Sequence, residues 1–112
     1  MPDSFTHIKR SKEYGRVYQT GKKFVGRFMV IYLVKNGLQI NRYGIVASKK
    51  VGNAVVRNRA KRRLREVVKG LDMHLGKGYD VIFLARFGVQ NAIFGDIVAE
   101  SQKLMRKAGL NQ

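Results

Sequence analysis

The segment AVVRNRAKRRLREVVKGL, residues 54–71, has the 3.6-residue apolar period of a helix that packs one side against a sheet. At about 100° per residue, its apolar side chains fall on one arc and its cations on another, without interleaving. The cations are also concentrated, since residues 49–69 hold nine of the 23 Lys and Arg residues and one acid, Glu66. The segment therefore predicts a helix with a buried apolar arc and an outward basic arc.

Arg57 is the exception to this division, because it projects between Leu64 and Val68 on the apolar arc. A buried cation is costly unless an acid pairs with it, and Glu66 is nine residues away. We therefore expect Arg57 in the first turn, with its side chain leaving the core for a groove beside the sheet. In that position it is a better ligand contact than its neighbours.

The basic arc has two interpretations. A charged helix face is usually only solvated, but this face is rich in Arg and lacks acids four residues away. The planar guanidinium matches phosphate oxygens, so both features favour binding to a polyanion. The preceding loop, SKKVGN at residues 48–53, leads into the helix N-terminus, where free N–H groups favour phosphate. It is not a Walker P-loop, and Asn53 can also serve simply as the helix cap.

Three apolar runs predict strands around this helix. The run FMVIYLV, residues 28–34, is apolar at both odd and even positions, as in a central strand covered on both faces. Residues 43–48 are its expected partner strand, and YDVIFLA, residues 79–85, is another buried strand. These strands predict a mixed sheet.

Two further helices complete the predicted architecture. The first begins at Ser11 as its capping residue and ends at Gly21 in a left-handed conformation. The last covers residues 93–108, where apolar side chains keep the 3.6-residue period. All three helices are expected to pack on the sheet.

The composition of the whole chain indicates a polyanionic partner. The 112 residues include 23 Lys and Arg against 7 Asp and Glu, a formal net charge of +16. Nucleic acid is the leading partner and an anionic membrane surface the second. The hydrophobic content of 45% fits one folded domain over residues 1–112. The longest apolar run has seven residues, too short to span a bilayer, and the absence of cysteine excludes disulfides and fits a reducing cytoplasm.

The run SKKVGNAVVRNRAKRRLRE, residues 48–66, closely resembles the signature of the bacterial ribonuclease P protein component family. Its core is Arg-Asn-Arg at 57–59 followed by Lys61-Arg62, and EYGRVYQTG at 13–21 resembles the first helix of that family. The resemblance implies an α+β fold, a two-layer mixed sheet with packed helices of the ribosomal protein S5 domain 2-like type. The implied order is α-β-β-β-α-β-α with a left-handed strand-helix-strand crossover, against the usual right-handed rule.

The resemblance also implies a function. The family's protein joins a catalytic RNA that holds the Mg²⁺ and removes the 5′ leader of precursor tRNA in the cytoplasm. The implied partners are that RNA and precursor tRNA, with no membrane and no obligate protein partner. The matching positions for contact with the RNA subunit are Lys49, Arg57, Asn58, Arg59, Lys61, Arg62, Arg63 and Arg65. The matching positions for a leader cleft between the first helix and the sheet are Tyr14, Tyr18, Tyr32 and Lys50.

The cleft has physical support of its own. Tyr14 and Tyr18 share one helix face, and Tyr32 lies on a central strand. An isolated aromatic residue is usually a core residue, but the Tyr hydroxyl prefers a wet edge. Unpaired bases stack on such rings while nearby cations follow the backbone. Phe28 and Phe83 lack a hydroxyl and are expected in the core.

The sequence offers few groups for catalysis by the protein alone. His7 and His74 are far apart and have no motif partner, and the seven acids form no metal-binding pattern. We therefore expect no catalytic residue and no metal site in the protein. Enzyme activity is expected only for the ribonucleoprotein of which it is a component.

Two other functions fit the same composition. The first is a ribosomal-type protein that binds structured RNA without processing it, which equal affinity for precursor and mature tRNA would favour. The second is a DNA-binding protein with residues 54–69 in the major groove, although a dense arginine face suits phosphates better than base edges. Competition between duplex DNA and structured RNA separates the second from the others.

Overall fold

The computed structural model describes residues 5–110. Short 3₁₀ turns at Asp72–His74 and Val89–Asn91 accompany the regular elements. The predicted order of elements is confirmed, with one addition, the two-residue strand β1, which is too short to carry a periodic signal. The elements are β1 (Thr6–His7), α1 (Ser11–Thr20), β2 (Lys22–Val25), β3 (Met29–Lys35), β4 (Arg42–Val46), α2 (Ala54–Leu71), β5 (Tyr79–Ala85) and α3 (Phe94–Ala108).

The five strands form one mixed sheet in the order β1-β4-β5-β3-β2. The predicted pairing of residues 28–34 with residues 43–48 is wrong, because β5 lies between β3 and β4. β5 pairs antiparallel with β3 from Tyr79–Lys35 to Ala85–Met29, and parallel with β4. Its side chains are the most buried of any strand, which suits the middle of the sheet. β4, α2 and β5 form the strand-helix-strand unit that the resemblance implies.

Helices cover both faces of the sheet. Met29, Ile31 and Leu33 on β3 join the larger core, which also contains the apolar arc of α2 and the inner side of α3. Tyr32 and Val34 alternate with them and face α1, where a smaller core forms around Val17 and Ile82. The expected mixed sheet with packed helices is therefore present, with α2 and α3 on one face and α1 on the other.

The ends of α1 differ from the sequence prediction. Arg10, not Ser11, is the N-cap residue, and its backbone N–H donates to Glu13 Oε1 at 3.2 Å. Gly21 ends the helix in an extended conformation, with φ −78°, and not in a left-handed one. Glycine is needed there for space, since a Cβ would lie 2.8 Å from the carbonyl oxygen of Leu33. Glycine is therefore required at position 21 by the close approach of α1 to β3, and not by the left-handed turn that the sequence predicted.

Acidic side chains tie distant elements together. Asp80 on β5 is fully buried and accepts two hydrogen bonds from Arg42, from Nε at 2.8 Å and Nη2 at 2.7 Å. Arg42 also donates to Glu13 Oε2 at 2.7 Å, which ties α1 to β4. Glu100 on α3 accepts from the backbone N–H groups of Arg27 and Phe28 before β3. These acids are occupied within the fold and neutralise little of its surface charge.

Candidate nucleic-acid interface

Helix α2 divides its two faces as the sequence predicts. Ala60, Leu64 and Val68 on the apolar arc are fully buried against the sheet. Asn53 caps the helix, because its side-chain oxygen accepts from the backbone N–H of Val56 at 3.0 Å. The exposed basic side chains, Arg59 and Arg62, point outward from this anchored helix.

The outward charges of α2 are largely uncompensated. Arg59 and Arg62 are exposed, and neither pairs with an acid within residues 5–110. Glu66 pairs instead with Lys69, at 3.2 Å. Within residues 5–110, the only other cations that form salt bridges with acids are Arg42 and Lys77. The face therefore carries a concentrated positive field that favours an anionic partner.

Arg57 lies in the first turn of α2, as expected, and its side chain is half-buried. Its Nη1 donates to the carbonyl oxygen of Gly52 at 3.0 Å, which fastens the loop at residues 48–53 to the first turn of α2. Gly52 has φ +152°, and a Cβ there would lie 2.8 Å from a methyl carbon of Val56. Lys49 and Lys50 on this loop are exposed, so the fastened loop extends the basic surface.

Arg63 differs from its neighbours on the basic arc. Its Nη2 donates to the carbonyl oxygen of Ala92, and its guanidinium lies over the Phe94 ring at 5.9 Å. Its Nε is buried without a hydrogen-bond partner among residues 5–110. Arg63 therefore joins α2 to the start of α3. Its position in the sequence does not distinguish it from the exposed Arg62. Lys61 and Arg65 are half-buried, and Asn58 is exposed beside Arg59.

The three predicted tyrosines come together on the opposite face of the sheet. Tyr18 on α1 and Tyr32 on β3 meet edge to face, with ring centroids 4.8 Å apart. Tyr14 packs against Gly44, and a Cβ at Gly44 would lie 2.7 Å from the hydroxyl oxygen of Tyr14. Lys23 on β2 places its Nζ 5.7 Å from the centre of the Tyr32 ring. The prediction missed Lys23, and the signal that could have found it is the antiparallel pairing of β2 with β3.

These rings lie at the edge of the small core and are not sealed inside it. Tyr18 is 38% exposed, and Tyr14 and Tyr32 are half-buried. Burial raises the pKa of Tyr14, and burial together with Tyr32 and Tyr14 raises the pKa of Tyr18. Both hydroxyls therefore remain protonated at neutral pH, available as donors beside an accessible ring face.

Lys50 stands at the far end of the same sheet face. It lines a hollow with Ser48 and Arg86 at its rim and Val30 and Leu84 on its floor. Val30 is two residues from Tyr32 on β3, so the hollow and the tyrosines share one face. We name this surface the tyrosine cleft: Tyr14, Tyr18, Tyr32 and the hollow at Lys50. It lies across the sheet from α2, and the loop at residues 48–53 links the two.

The described residues bring together no cluster of acids and histidines. Within residues 5–110, no three His, Asp or Glu side chains lie close enough to hold a metal ion. The His7 ring packs against Phe5 at a tilt of 43°, with the ring centroids 4.7 Å apart, and His74 is exposed at the end of a 3₁₀ turn. In the same part of the chain, no helix is both long and apolar enough to cross a membrane. The chemical groups that the structure does gather are cations and aromatic rings.

Fold and surfaces together define a small, basic α+β protein suited to binding nucleic acid. The family model described as Ribonuclease P matches residues 3–109. The chain belongs to the ribonuclease P protein component family, whose role is in tRNA 5′ leader processing.

Individual relatives agree with this assignment. The Ribonuclease P protein component of Caldanaerobacter subterraneus is 44% identical over 110 residues, covering 98% of this chain and 95% of the relative. That of Syntrophomonas wolfei is 39% identical, covering 98% and 92%. The solved RNase P protein of Staphylococcus aureus superimposes with a TM-score of 0.82 at 31% identity, covering 95% of this chain and 97% of that one. The S5 domain 2-like α+β architecture is consistent with this likeness.

Proposed function

We propose that this chain binds the catalytic RNA of ribonuclease P through the basic face of α2 and holds the precursor-tRNA leader in the tyrosine cleft. Membership of the family supports the first partner, and the chemistry of the cleft supports the second. Unpaired leader bases have free faces to stack on Tyr18 and Tyr32, while Lys23 and Lys50 follow the phosphates. The two surfaces lie on opposite faces of the sheet, so one protein can contact both RNAs at once.

We assign the hydrolysis, and the Mg²⁺ that it uses, to the RNA. The acids that could bind a cation are largely occupied within the fold, as Asp80 and Glu13 are with Arg42. The protein then contributes binding and charge neutralisation, which bring two polyanions together. We place this activity in the cytoplasm, in keeping with a chain that has no cysteine.

One observation carries the proposal: the exposed arginines of α2 have no acid partner within residues 5–110, although the helix beneath them is firmly anchored. The test is reconstitution of purified protein with a candidate catalytic RNA at low Mg²⁺, following release of the leader. We expect the protein to accelerate release strongly, because its charge replaces the missing counterions. No acceleration over RNA alone would contradict the proposal.

Comparison of substrates tests the leader assignment. The assembled particle should bind precursor tRNA more tightly than mature tRNA, since mature tRNA lacks the strand that fills the tyrosine cleft. Equal affinity for the two substrates would instead support a protein that binds structured RNA without a processing role.

A further inference from the structure

Three large apolar side chains within one short segment are exposed to solvent. Phe87 is 75% exposed and Ile93 73% exposed, and Phe94 is exposed as well. We call these three residues the apolar ridge. The basic face of α2 includes none of the three, and only Phe87 also borders the tyrosine cleft, at the hollow beside Lys50. A cluster of exposed apolar groups on a small protein usually marks a binding surface.

The ridge is held in place by its own turn. Val89 and Gln90, between Phe87 and Ile93, are buried. Gly88 has φ +103°, and its N–H donates to the side chain of Gln90 at 2.9 Å. The exposed side chains are therefore mounted on an anchored segment, so little order has to be gained when a partner binds.

The charges around the ridge favour an anionic partner. Phe87 and Ile93 line a hollow together with Arg27 and one acid, Asp96. Arg63 lies on the other side, over the Phe94 ring. A second copy of this chain is disfavoured as the partner, because each copy has a formal net charge of +16.

The ridge is continuous with the basic face of α2. Arg63 on α2 donates to the carbonyl oxygen of Ala92, the residue between the two parts of the ridge. The tyrosines lie across the sheet, against α1. A polyanion seated on Arg59 and Arg62 can therefore reach the ridge without crossing the sheet.

We propose that the apolar ridge is a second contact surface for the catalytic RNA, on which one or two unpaired nucleotides of that RNA stack. This inference rests on the proposed function and extends it. Phe87 and Phe94 offer ring faces to bases, and Arg27 and Arg63 offer charge to the adjoining phosphates.

Ile93→Ser is the most selective test of the ridge. Ile93 is the N-cap residue of α3, a position where serine is favoured, so weaker RNA binding would not follow from a weaker helix. Phe87→Ser removes a ring, but Phe87 also lines the hollow at Lys50. Met73→Ser is the matched control, because Met73 is 74% exposed at the far end of α2.

The measurement is the affinity of each full-length variant for the catalytic RNA alone, at several salt concentrations. We expect Phe87→Ser to weaken binding about ten-fold and Ile93→Ser about three-fold, with Met73→Ser unchanged. Because stacking involves no counterion release, the slope of log affinity against log salt should stay as in the unsubstituted protein.

Other results would overturn the inference. Ridge variants that bind like Met73→Ser would do so, as would a loss seen only when precursor tRNA is present, which would place the leader there. A protein dimer in sedimentation that the ridge variants abolish would assign the surface to self-association. If the unsubstituted protein fails to bind the RNA, the proposed function itself fails; if it binds normally and the variants do too, only the ridge inference fails.

Discussion

Tyr18 and Tyr32 meet edge to face at an interplanar angle of 78°, although one lies on α1 and the other on β3. The contact joins α1 to β3 within the tyrosine cleft and leaves Tyr18 partly in solvent. Two tyrosines that contact each other and still reach water provide a stacking surface that neither provides alone.

Removing either ring should reduce the preference for precursor tRNA. We expect Tyr18→Ala or Tyr32→Ala to lower the ratio of precursor to mature tRNA affinity by about ten-fold, the order of one lost base stack. Tyr18→Phe is the control, because it keeps the ring and should keep most of the ratio. Binding of both tRNAs to the assembled particle is the measurement, and an unchanged ratio in the Ala variants would exclude these rings from leader binding.

The exposed arginines of α2 should determine the salt dependence of RNA binding. Arg59→Ala and Arg62→Ala should each flatten the slope of log affinity against log salt by up to about 0.7–0.9, through loss of one phosphate contact. Lys103 is exposed on α3, so Lys103→Ala serves as the control. Titrations of the catalytic RNA at four or more salt concentrations give the slopes. Slopes equal to that of the unsubstituted protein would mean that this face is merely solvated.

Arg63 should matter more for stability than its neighbour does. Arg63→Ala deprives the Ala92 carbonyl of its donor and removes the contact with Phe94, so we expect a loss of about 1–2 kcal/mol in the free energy of unfolding. Arg62→Ala, at an exposed site, should change that free energy by less than about 0.5 kcal/mol. Urea unfolding of the free protein measures both, and equal values would show that the link from α2 to α3 adds no stability.

Arg57→Ala should weaken RNA binding more than Arg59→Ala does. Arg57 carries a charge and also fastens the loop at residues 48–53 through the carbonyl of Gly52. Its loss frees Lys49 and Lys50 as well, so the expected deficit is about two- to three-fold beyond that of one phosphate contact. Arg57→Lys, which keeps the charge, should recover only part of it. The prediction fails if Arg57→Ala and Arg59→Ala bind the RNA equally.

Acid should weaken the fold through Glu13. The hydrogen bond from Arg42 lowers the pKa of Glu13 below its ordinary value of 4.5. Because the folded-state pKa is the lower one, the ionised pair contributes fully above about pH 4.5, and this contribution is lost as the pH falls through the depressed pKa. Glu13→Gln should therefore lower stability at neutral pH and make the loss in acid shallower. Urea unfolding at several pH values measures this, with Glu66→Gln as the exposed control; parallel curves for Glu13→Gln and the unsubstituted protein would contradict it.

Much of the fold was predictable from local patterns. Residues 79–85 form a strand as expected, and α2 occupies residues 54–71, because alternation and the 3.6-residue period are properties of consecutive side chains. The ends of α1 were not predictable in detail. A Cβ at Gly21 would meet the carbonyl oxygen of Leu33, a residue twelve positions away on β3, as well as that of Val17, and no local pattern records the distance to Leu33.

The candidate site was likewise predictable only in part. The sequence shows that arginine is concentrated on one helix face and that three tyrosines are present. That Arg63 turns to Ala92 while Arg62 stays in solvent cannot, because the two are adjacent members of one basic run. The apolar ridge was also not evident from the sequence, since Ile93 and Phe94 keep the apolar period of α3 and yet are exposed.

By itself, the sequence determined which segments are helices and strands, which face of α2 is charged, and the family to which the chain belongs. Only the tertiary structure decided that β5 separates β3 from β4, that Tyr18 meets Tyr32, and that α2 and the tyrosines occupy opposite faces of one sheet. The physical reason is the separation along the chain of the residues that interact. A helix or strand forms from side chains a few residues apart, whereas strand order and side-chain contacts depend on how separate elements share a single core.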